Sequence, residues 1–576
     1  MPLLSPRVIA PLSECSSSVR VEGQITGAQV ELFMSGHAGS IGGGTATWSD
    51  QVYPLNGGVT LVPGQMVQAR QSLMGEMSPL GPGVSVQKKP PTIGAVAFQS
   101  HLYQCGRCAW LVGAVPGAKV DLTVGGNPRG STISADGNAR TGLSQQLNLG
   151  QVLVAQQTAC GMIGPATNGP PADPVPAGPK RTLPPPVLPG PLKQCDPAVL
   201  VTNVFEGATV TINRSAGPTE SACFDATGLW FILSKPLVLN ETVTAQQDYP
   251  LCEVFGTPTA PVKVGSIKPV APPVVWPPLC ADQMSVTVRD YKAGALIEIF
   301  QSGVSLGRGQ APDQPSFDFP VPPLTGGDVV TATQTLCGIA SVPSNGVVVD
   351  TAPMALPTPQ VPGPLFECGS VVRVQNLHVG ARVTVFSTLL GAEIGEQQAF
   401  DTIVDVPVAP LLIKGDHIFA VQIGCGLTSP CSAPPQLVQP EPSLNPPQVV
   451  PPLDDCMSVV PVSLVVPGAF VDVYVNNAWR GTAATGAATV SVPISGRLQV
   501  NDSVAARQRL CNRISEFGKR IGVLPSVAKD WPMYHHDPQH TGRVACSDID
   551  SSNPTTFVRL SSSYFTKSQP RARGAV

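Results

Sequence analysis

The chain has 576 residues, with 35 Lys and Arg against 38 Asp and Glu, a formal net charge of −3 and only 13% charged residues. It therefore lacks the basic excess that nucleic-acid binding requires and the charge density of a disordered chain. No apolar run reaches the ~20 residues of a membrane-spanning helix. Gly (57) and Pro (63) are abundant, which favours short strands separated by turns, and the length indicates several domains.

Two short motifs recur six times along the chain. The first is Gly-Ala-x-Val or Gly-Ala-x-Ile, and an Ala-x-Gln segment follows each copy. Successive copies of the first motif begin 90, 90, 87, 86 and 88 residues apart. A fixed period of this size predicts tandem copies of one small domain. The motif glycines are Gly27, Gly117, Gly207, Gly294, Gly380 and Gly468, and the glutamines are Gln71, Gln157, Gln247, Gln334, Gln422 and Gln508.

The fourth copy shows the predicted strands of one repeat most clearly. It begins with a Pro-punctuated strand over 272–279, and Pro belongs on a sheet edge because it cannot donate to the ladder. Gly-containing turns then separate short strands with alternating apolar residues. This order gives about seven strands without helical periodicity, which predicts an all-β sandwich. The further strands are predicted over 285–289, 296–300, 317–321, 329–335 and 345–350.

The same repeat carries a longer pattern. It runs V-x-V, G-A-x-V-x-V/F, a Gly hairpin, P-L-x-x-G-D, V-x-A-x-Q and S-x-x-S-x-x-V-x-V. In the fourth copy its residues are Val286, Val288, Gly294, Ala295, Ile297, Ile299, Gly307, Pro323, Leu324, Gly327, Asp328, Val330, Ala332, Gln334, Ser341, Ser344, Val347 and Val349. This pattern resembles the bacterial immunoglobulin-like (Big-type) domains that occur in tandem on surface proteins. The resemblance covers residues 5–525 and implies six immunoglobulin-like β-sandwiches. It implies little about function, because such modules serve as spacers, as adhesins and as appendages of enzymes.

Pro-rich seams divide the chain into these repeats. Because Pro-rich joints are extended and semi-rigid, we expect an extended rod, on the order of 200 Å long if each sandwich adds some tens of Å. The predicted repeats are 4–87, 90–172, 185–267, 268–351, 354–440 and 446–526, with a Pro-rich linker over 173–184 and a tail over 527–576.

Eleven of the 15 cysteines fall into two registers. The early register lies 12 to 14 residues before Gly-Ala, and the late register follows the Ala-x-Gln strand, where the first copy has Met74. Repetition in register indicates a disulfide framework. Three arrangements remain open: bonds within a domain, bonds from the early cysteine of one domain to the late cysteine of the next, and free buried thiols. The second agrees with the missing late cysteine of the first copy. The candidates are Cys15, Cys105, Cys160, Cys195, Cys252, Cys280, Cys337, Cys368, Cys425, Cys456 and Cys511.

The sequence offers no catalytic constellation, cofactor-binding motif or metal-ligand spacing. The histidines of the repeats fall at different places in different copies, so they form no repeated acid–base site. Trp479 is expected at an exposed hairpin tip, which makes it the best single candidate for a ligand contact.

The tail breaks the repeat pattern. Residues 530–543 read DWPMYHHDPQHTGR, which resembles the opening of a quinoprotein-type (PQQ-like) β-propeller, W-P-M-x-x-H-D-x-x-H-T-G. A propeller needs about four to eight four-stranded blades, and 33 residues follow Arg543. The resemblance therefore implies only the start of a propeller, and we expect this tail to be disordered.

These observations predict a non-enzymatic bacterial repeat protein, either secreted or on the cell surface. It would be a spacer or stalk with an adhesive or ligand-presenting role toward a protein or glycan. One alternative is the stalk of a larger β-propeller enzyme or receptor, and another is a set of carbohydrate-binding modules. We expect a monomer without cofactor, nucleic-acid partner or membrane span. The N-terminus shows no basic segment followed by an apolar one, so a cytoplasmic location would follow if that N-terminus is genuine.

Overall fold

The structure, a computed structural model, describes residues 2–175, 182–224, 228–314, 316–351, 353, 355–455 and 457–525. Within them the chain forms 51 strands and one 3₁₀ helix, and the strands group into six successive two-sheet units. The predicted all-β class and the six tandem sandwiches are confirmed. Among the described residues, no helix is both long and apolar enough to cross a bilayer.

Unit 1 shows the topology that the other units share. Its strands are β1 (Arg7–Val8), β2 (Leu12–Ser13), β3 (Ser18–Glu22), β4 (Gln29–Met34), β5 (Gly42–Thr45), β6 (Asp50–Pro54), β7 (Met66–Leu73), β8 (Glu76–Met77) and β9 (Val84–Gln87). One sheet has the order β1-β3-β6 and the other β2-β9-β7-β4-β5, with β8 beside β7. The first strand is split by a cis peptide bond between Ala10 and Pro11. Its first half pairs antiparallel with β3, and its second half pairs parallel with β9.

Units 2 and 3 repeat this arrangement with local differences. The strands of unit 2 are β10 (Ala97–Phe98), β11 (Cys108–Val112), β12 (Lys119–Val124), β13 (Asn127–Ile133), β14 (Ala139–Gly142), β15 (Val152–Ala159), β16 (Met162–Ile163) and β17 (Thr167–Pro171). Unit 3 has β18 (Thr182–Leu183), β19 (Ala198–Thr202), β20 (Ala208–Arg214), β21 (Glu220–Phe224), β22 (Gly228–Ile232), β23 (Thr242–Tyr249), the 3₁₀ helix (Pro250–Cys252), β24 (Val254–Gly256) and β25 (Val262–Lys263). In unit 2 a single parallel bridge between Tyr103 and Asp173 replaces the parallel strand pair.

Units 4 to 6 keep the parallel pair at full length. Unit 4 has β26 (Val274–Val275), β27 (Leu279–Cys280), β28 (Ser285–Arg289), β29 (Leu296–Gln301), β30 (Val304–Gln310), β31 (Ser316–Pro320), β32 (Val329–Leu336), β33 (Ile339–Ala340) and β34 (Val347–Asp350). Unit 5 has β35 (Leu365–Phe366), β36 (Val371–Gln375), β37 (Arg382–Ser387), β38 (Ala392–Gln398), β39 (Ile403–Pro407), β40 (His417–Gly424), β41 (Leu427–Thr428) and β42 (Gln436–Gln439). Unit 6 has β43 (Gln448–Val449), β44 (Leu453–Asp454), β45 (Val459–Ser463), β46 (Phe470–Val475), β47 (Ala478–Ala484), β48 (Thr489–Pro493), β49 (Ser503–Leu510), β50 (Arg513–Ile514) and β51 (Ile521–Leu524).

Each unit has its own apolar core between its two sheets. Along β32 every second residue is buried, including Val330, Ala332 and Leu336, as period-2 alternation predicts. The core of unit 3 also takes in Tyr103 from unit 2 and Trp479 from unit 6. The core of unit 4 likewise takes in Leu4 and Cys195, so the cores are continuous at several contacts between units.

The series of units is coiled rather than straight. Contacts join unit 1, with the segment that precedes it, to units 4 and 5, and they join unit 2 to units 5 and 6. The contacting pairs are Leu3 with Arg308, Arg7 with Glu396, Gly113 with Leu411, and Phe98 with Arg509. Units that are three and four places apart therefore touch, as residues do along an α-helix. The tandem sandwiches that the sequence predicts therefore follow a coiled path, because units three and four places apart are in contact.

Candidate functional site: the junctions between units

The Gly-Ala motif forms a tight turn at one end of each unit. In unit 4 the amide of Ala295 donates to the carbonyl of Lys292 (3.0 Å), and Gly294 between them has a φ of 79°. This is a type II turn, whose third residue needs a positive φ and so favours Gly. The same hydrogen bond recurs in all six units, with glycine φ values of 79–90°. The motif is therefore turn chemistry repeated six times.

The glutamine of each Ala-x-Gln segment holds this turn in place. In all six units its side chain is 0–2% exposed. Gln334 Oε1 accepts from the amide of Lys292 (2.9 Å), the first residue of the turn, and its Nε2 donates to the carbonyl of Ala271 (2.8 Å) at the start of the unit. The other five glutamines make the same pair of bonds. A polar residue recurs in the core because it ties the first strand, the turn and a central strand together.

Four of the five late cysteines lie at the tips of two-residue hairpins, and Cys252 lies in the 3₁₀ helix that takes the place of this turn in unit 3. Strand β32 turns into β33 through Cys337 and Gly338, whose φ values are 48° and 75°. Positive φ at both positions defines a type I′ turn, which suits the twist of a hairpin. Cys160 and Cys425 occupy the same place, and Met74 occupies it in unit 1 with a φ of 50°. The hairpin places each sulfur at the end of its unit.

Five disulfides join each unit to the next. Each connects the early cysteine of one unit with the late cysteine of the following unit, 142–147 residues further along the chain. The Cα–Cα distances of 5.1–6.0 Å suit disulfide geometry. A sixth bond, Cys108–Cys223, adds a second link between units 2 and 3. The five bonds are Cys15–Cys160, Cys105–Cys252, Cys195–Cys337, Cys280–Cys425 and Cys368–Cys511.

This pairing decides among the three arrangements that the sequence left open. The early cysteine of a unit faces the unit after it, and the late cysteine faces the unit before it. The two cysteines of one unit therefore lie at opposite ends of their sandwich, and the structure contradicts bonds within a unit. In bonds between successive units the first unit has no earlier partner for a late cysteine, and Met74 stands at that position. Cys431 is exposed and takes no part in a disulfide, while Cys456 and Cys546 lie outside the described residues.

The turn glycine is also the point at which successive units touch. A Cβ at Gly117 would lie 2.2 Å from the carbonyl oxygen of Cys15, and one at Gly468 would lie 2.7 Å from the Cα of Gly369. At Gly27, in unit 1, no atom lies within 4 Å of that position. In units 2, 3 and 6 glycine is thus required twice, for the positive φ and for the close approach of two backbones. At Gly294 the nearest atoms are side-chain atoms of Pro197 and Trp48, and at Gly380 the nearest atom is 3.3 Å away.

Ion pairs connect units that are not adjacent in the series. Arg7 of unit 1 pairs with Glu396 of unit 5 and lies 3.9 Å from Asp318 of unit 4. Burial alone would raise the pKa of Glu396, but the charges of Arg7 and Arg382 outweigh it and hold that pKa below its ordinary value. Burial, with the charge of Glu396, raises the pKa of Glu393 to about 7. The contact among units 1, 4 and 5 therefore includes buried ion pairs and a carboxyl group whose pKa is about 7.

Trp479 is not the exposed ligand contact that the sequence predicted. It is 1% exposed, its ring stacks on His101 of unit 2 with centroids 4.6 Å apart, and its carbonyl oxygen accepts a hydrogen bond from Tyr103 (3.2 Å). Burial lowers the pKa of His101, although Asp173 opposes this shift. The prediction failed because unit 2 covers this hairpin, and a contact between units four places apart leaves no trace in the local sequence.

One group of possible metal ligands occurs among the described residues. The ligand atoms of Cys280, His378 and Cys425 lie within 4.8 Å of one another. The two sulfurs are bonded to each other, so they are not the thiolates that bind metal ions. The chemistry of this junction is covalent cross-linking, as at the other four.

The fold and the junctions define a tandem array of immunoglobulin-like β-sandwiches. No protein-family model matches the chain, and no curated protein matches it. Similar solved structures include the FN1–FN3 domains of chicken CNTN1, at 12% identity over 44% of this chain and 99% of that chain, with a TM-score of 0.15. The BSP domain of a biofilm associated protein is 10% identical over 76% of this chain and 96% of that chain, with a TM-score of 0.17. The N-terminal eight Ig domains of DSCAM are 9% identical over 91% of this chain and 74% of that chain, with a TM-score of 0.16. Scores and identities this low say nothing about function or about how the units are arranged.

Proposed function

We propose that the chain is a non-enzymatic spacer, secreted or on the cell surface, whose length is limited by covalent links between successive units. The observation that carries this proposal is the series of five disulfides that join each unit to the next. Disulfides form and persist in oxidising compartments, which supports a location outside the cytoplasm.

The overlap of the five disulfide loops limits how far the spacer can be extended. The shortest covalent route from Cys15 to Cys511 crosses three of the bonds and follows the backbone only over residues 160–195 and 337–368. These stretches add 35 and 31 residues, whereas the backbone alone covers 496. At ~3.6 Å per residue, the taut route is ~240 Å, against ~1,800 Å for the open chain. A unit that unfolds under load can therefore release only a small part of its chain.

An adhesive or ligand-presenting role is the finer part of the proposal. The turns and the glutamines recur in every unit, and together with the five disulfides between units they hold the array together. A ligand would be recognised by what differs between units, such as Val304 and Val342 of unit 4, which are 68% and 67% exposed. The carbohydrate-binding alternative loses its candidate aromatic, because Trp479 is buried. The propeller alternative rests on residues 530–543, which lie outside the described residues.

Non-reducing peptide mass spectrometry on protein from the native host tests this proposal. We expect cross-linked peptides that join units n and n+1, for example Cys195 with Cys337. Reduced thiols throughout the two registers would contradict the exported spacer. Bonds within units, such as Cys195 with Cys252, would keep the oxidising compartment but contradict the covalent limit on length.

A further inference from the structure

The first residue of the Gly-Ala turn lies beside the disulfide that joins its unit to the preceding one. In unit 2 this residue is Val115, which packs in one apolar cluster with Cys15. In unit 4 it is Lys292, whose Nζ lies 3.6 Å from Oδ2 of Asp196, the residue after Cys195. A side chain at this position therefore lies close to the linking sulfurs. The six residues are Ile25, Val115, Phe205, Lys292, His378 and Val466.

Unit 5 carries a metal-binding side chain at this position, because His378 has the only imidazole among the six residues. Its Nε2 lies 3.7 Å from Sγ of Cys425. The ligand atoms of His378, Cys280 and Cys425 all lie within 4.8 Å of one another, and within the described ranges no other three His, Cys, Asp or Glu side chains meet in this way. The link between units 4 and 5 therefore differs from the other four in having a third ligand.

The geometry of this group suits a tetrahedral zinc ion once its disulfide is reduced. Zinc binds thiolate sulfur at ~2.3 Å and imidazole nitrogen at ~2.0–2.1 Å, so tetrahedral angles place the two ligand atoms about 3.6 Å apart. The 3.7 Å between His378 and Cys425 is close to this value. The two sulfurs need a separation of about 3.8 Å, which Cα atoms 5.1 Å apart allow by rotation of the cysteine side chains.

Contacts inside unit 5 fix two of the three ligands. The amide of His378 donates to Oε1 of Gln422 (2.8 Å), the buried glutamine of this unit. Cys425 stands at the tip of a two-residue hairpin. Cys280 and Cys425 are 6% and 2% exposed, and His378 is partly buried. The backbone of both unit 5 ligands is therefore held by hydrogen bonds that do not involve the disulfide.

We propose that the reduced form of this junction binds one Zn²⁺ through Cys280, His378 and Cys425, so that a metal ion joins units 4 and 5 in place of the disulfide. In the part of the chain that the structure describes, the other four junctions offer two sulfurs without such a third ligand. A chain is synthesised with its cysteines as thiols, so the reduced form precedes the cross-linked one. This inference goes beyond the proposed spacer, which stands unchanged if no zinc binds.

Two steps lead from the disulfide to the zinc site. Two molecules of a small thiol such as glutathione supply two electrons and two protons, which convert the Cys280–Cys425 bond into two thiols, and the small thiol leaves as its own disulfide. Zinc then binds both sulfurs as thiolates and releases these two protons. Three protein ligands leave the fourth position for water. Bound zinc therefore stabilises the reduced junction and opposes re-formation of the disulfide.

Alkylation of the fully reduced chain, measured for each cysteine by peptide mass spectrometry, tests the site. We expect one equivalent of Zn²⁺ to slow the alkylation of Cys280 and Cys425 by at least about tenfold, because a metal-bound sulfur is a poorer nucleophile than a free thiolate. Cys195 and Cys337 have Lys292 in place of the histidine, and their rates should change less than about twofold. A chelator should restore the original rates. No slowing, or equal slowing of both pairs, overturns the proposal.

Two variants at His378 separate metal binding from packing. His378→Phe introduces the residue that unit 3 has at this position and should abolish the effect of zinc. His378→Cys supplies another zinc ligand and should keep it. The oxidised His378→Phe chain should still form Cys280–Cys425, which shows that the two units still pack together. Slowing by zinc that persists in His378→Phe, or that is lost in His378→Cys, contradicts the site.

Discussion

The most regular feature at the scale of single residues is a buried glutamine. Its side-chain amide supplies one acceptor and two donors. In each unit it meets the first amide of the turn and a carbonyl near the start of the unit, at 2.6–3.0 Å. Hydrogen bonds in a low-dielectric interior are strong when made and costly when lost. The glutamine therefore fixes the turn that faces the neighbouring unit.

Replacing Gln157 by Met tests this role. Met has nearly the side-chain volume of Gln, but it leaves the amide of Val115 and the carbonyl of Gly94 without their hydrogen-bond partners. Each unsatisfied buried group costs about 1–3 kcal/mol, so unit 2 should lose about 2–4 kcal/mol of stability. Native-state hydrogen exchange of unit 2 is the suitable measurement, because a chain of several domains does not unfold in one step. The adjacent Gln156 is exposed, and Gln156→Met should cost under about 1 kcal/mol. Equal losses in the two variants would refute the role.

At the scale of elements, the alternation of apolar residues and the turn glycines predicted where the strands begin and end. In the fourth copy the strands predicted over 285–289, 296–300 and 329–335 occur as Ser285–Arg289, Leu296–Gln301 and Val329–Leu336. These ends agree within one residue because alternation and turn glycines act over a few residues. The disulfide pairing and the burial of Trp479 depend on contacts between units. The repeat of Gly-Ala revealed the turn, but not that the turn is an interface.

The two uses of the turn glycine can be separated by a matched pair of variants. In Gly27→Ala the new Cβ contacts no other atom, and the only cost is that of a positive φ, which is about 1–2 kcal/mol for a residue with a Cβ. Gly117→Ala also places that Cβ 2.2 Å from the carbonyl oxygen of Cys15, so units 1 and 2 must move apart. We expect faster reduction of Cys15–Cys160 by a dithiol in Gly117→Ala and an unchanged rate in Gly27→Ala. The same rate in both variants would mean that the glycine serves the turn alone.

At the scale of the whole molecule, disulfides, ion pairs and apolar packing hold the array, the last where Trp479 of unit 6 enters the core of unit 3. Disulfides bind each unit to the next, and ion pairs such as Arg7 with Glu396 bind units four places apart. The ion pairs and the apolar contacts join units three and four places apart, and together they give the coil. The disulfides limit how far the chain extends even when every unit is unfolded. The account therefore predicts a molecule that cannot be drawn out to the full length of its chain.

Removing one link should lengthen the taut chain by a calculable amount. In the Cys195→Ser/Cys337→Ser variant the shortest covalent route follows the backbone over residues 105–160, 252–280 and 368–425. These stretches are 55, 28 and 57 residues long, so the taut length rises to about 500 Å at ~3.6 Å per residue.

Single-molecule pulling between handles beside Cys15 and Cys511 tests the central claim most directly. The account predicts a limiting extension of ~240 Å for the oxidised chain, about 500 Å for the double serine variant and ~1,800 Å after reduction. Bonds within units, including Cys456–Cys511, would leave 215 residues of backbone in the route and give ~770 Å for the oxidised chain. An oxidised length near that value, or one equal to the reduced length, would contradict the account.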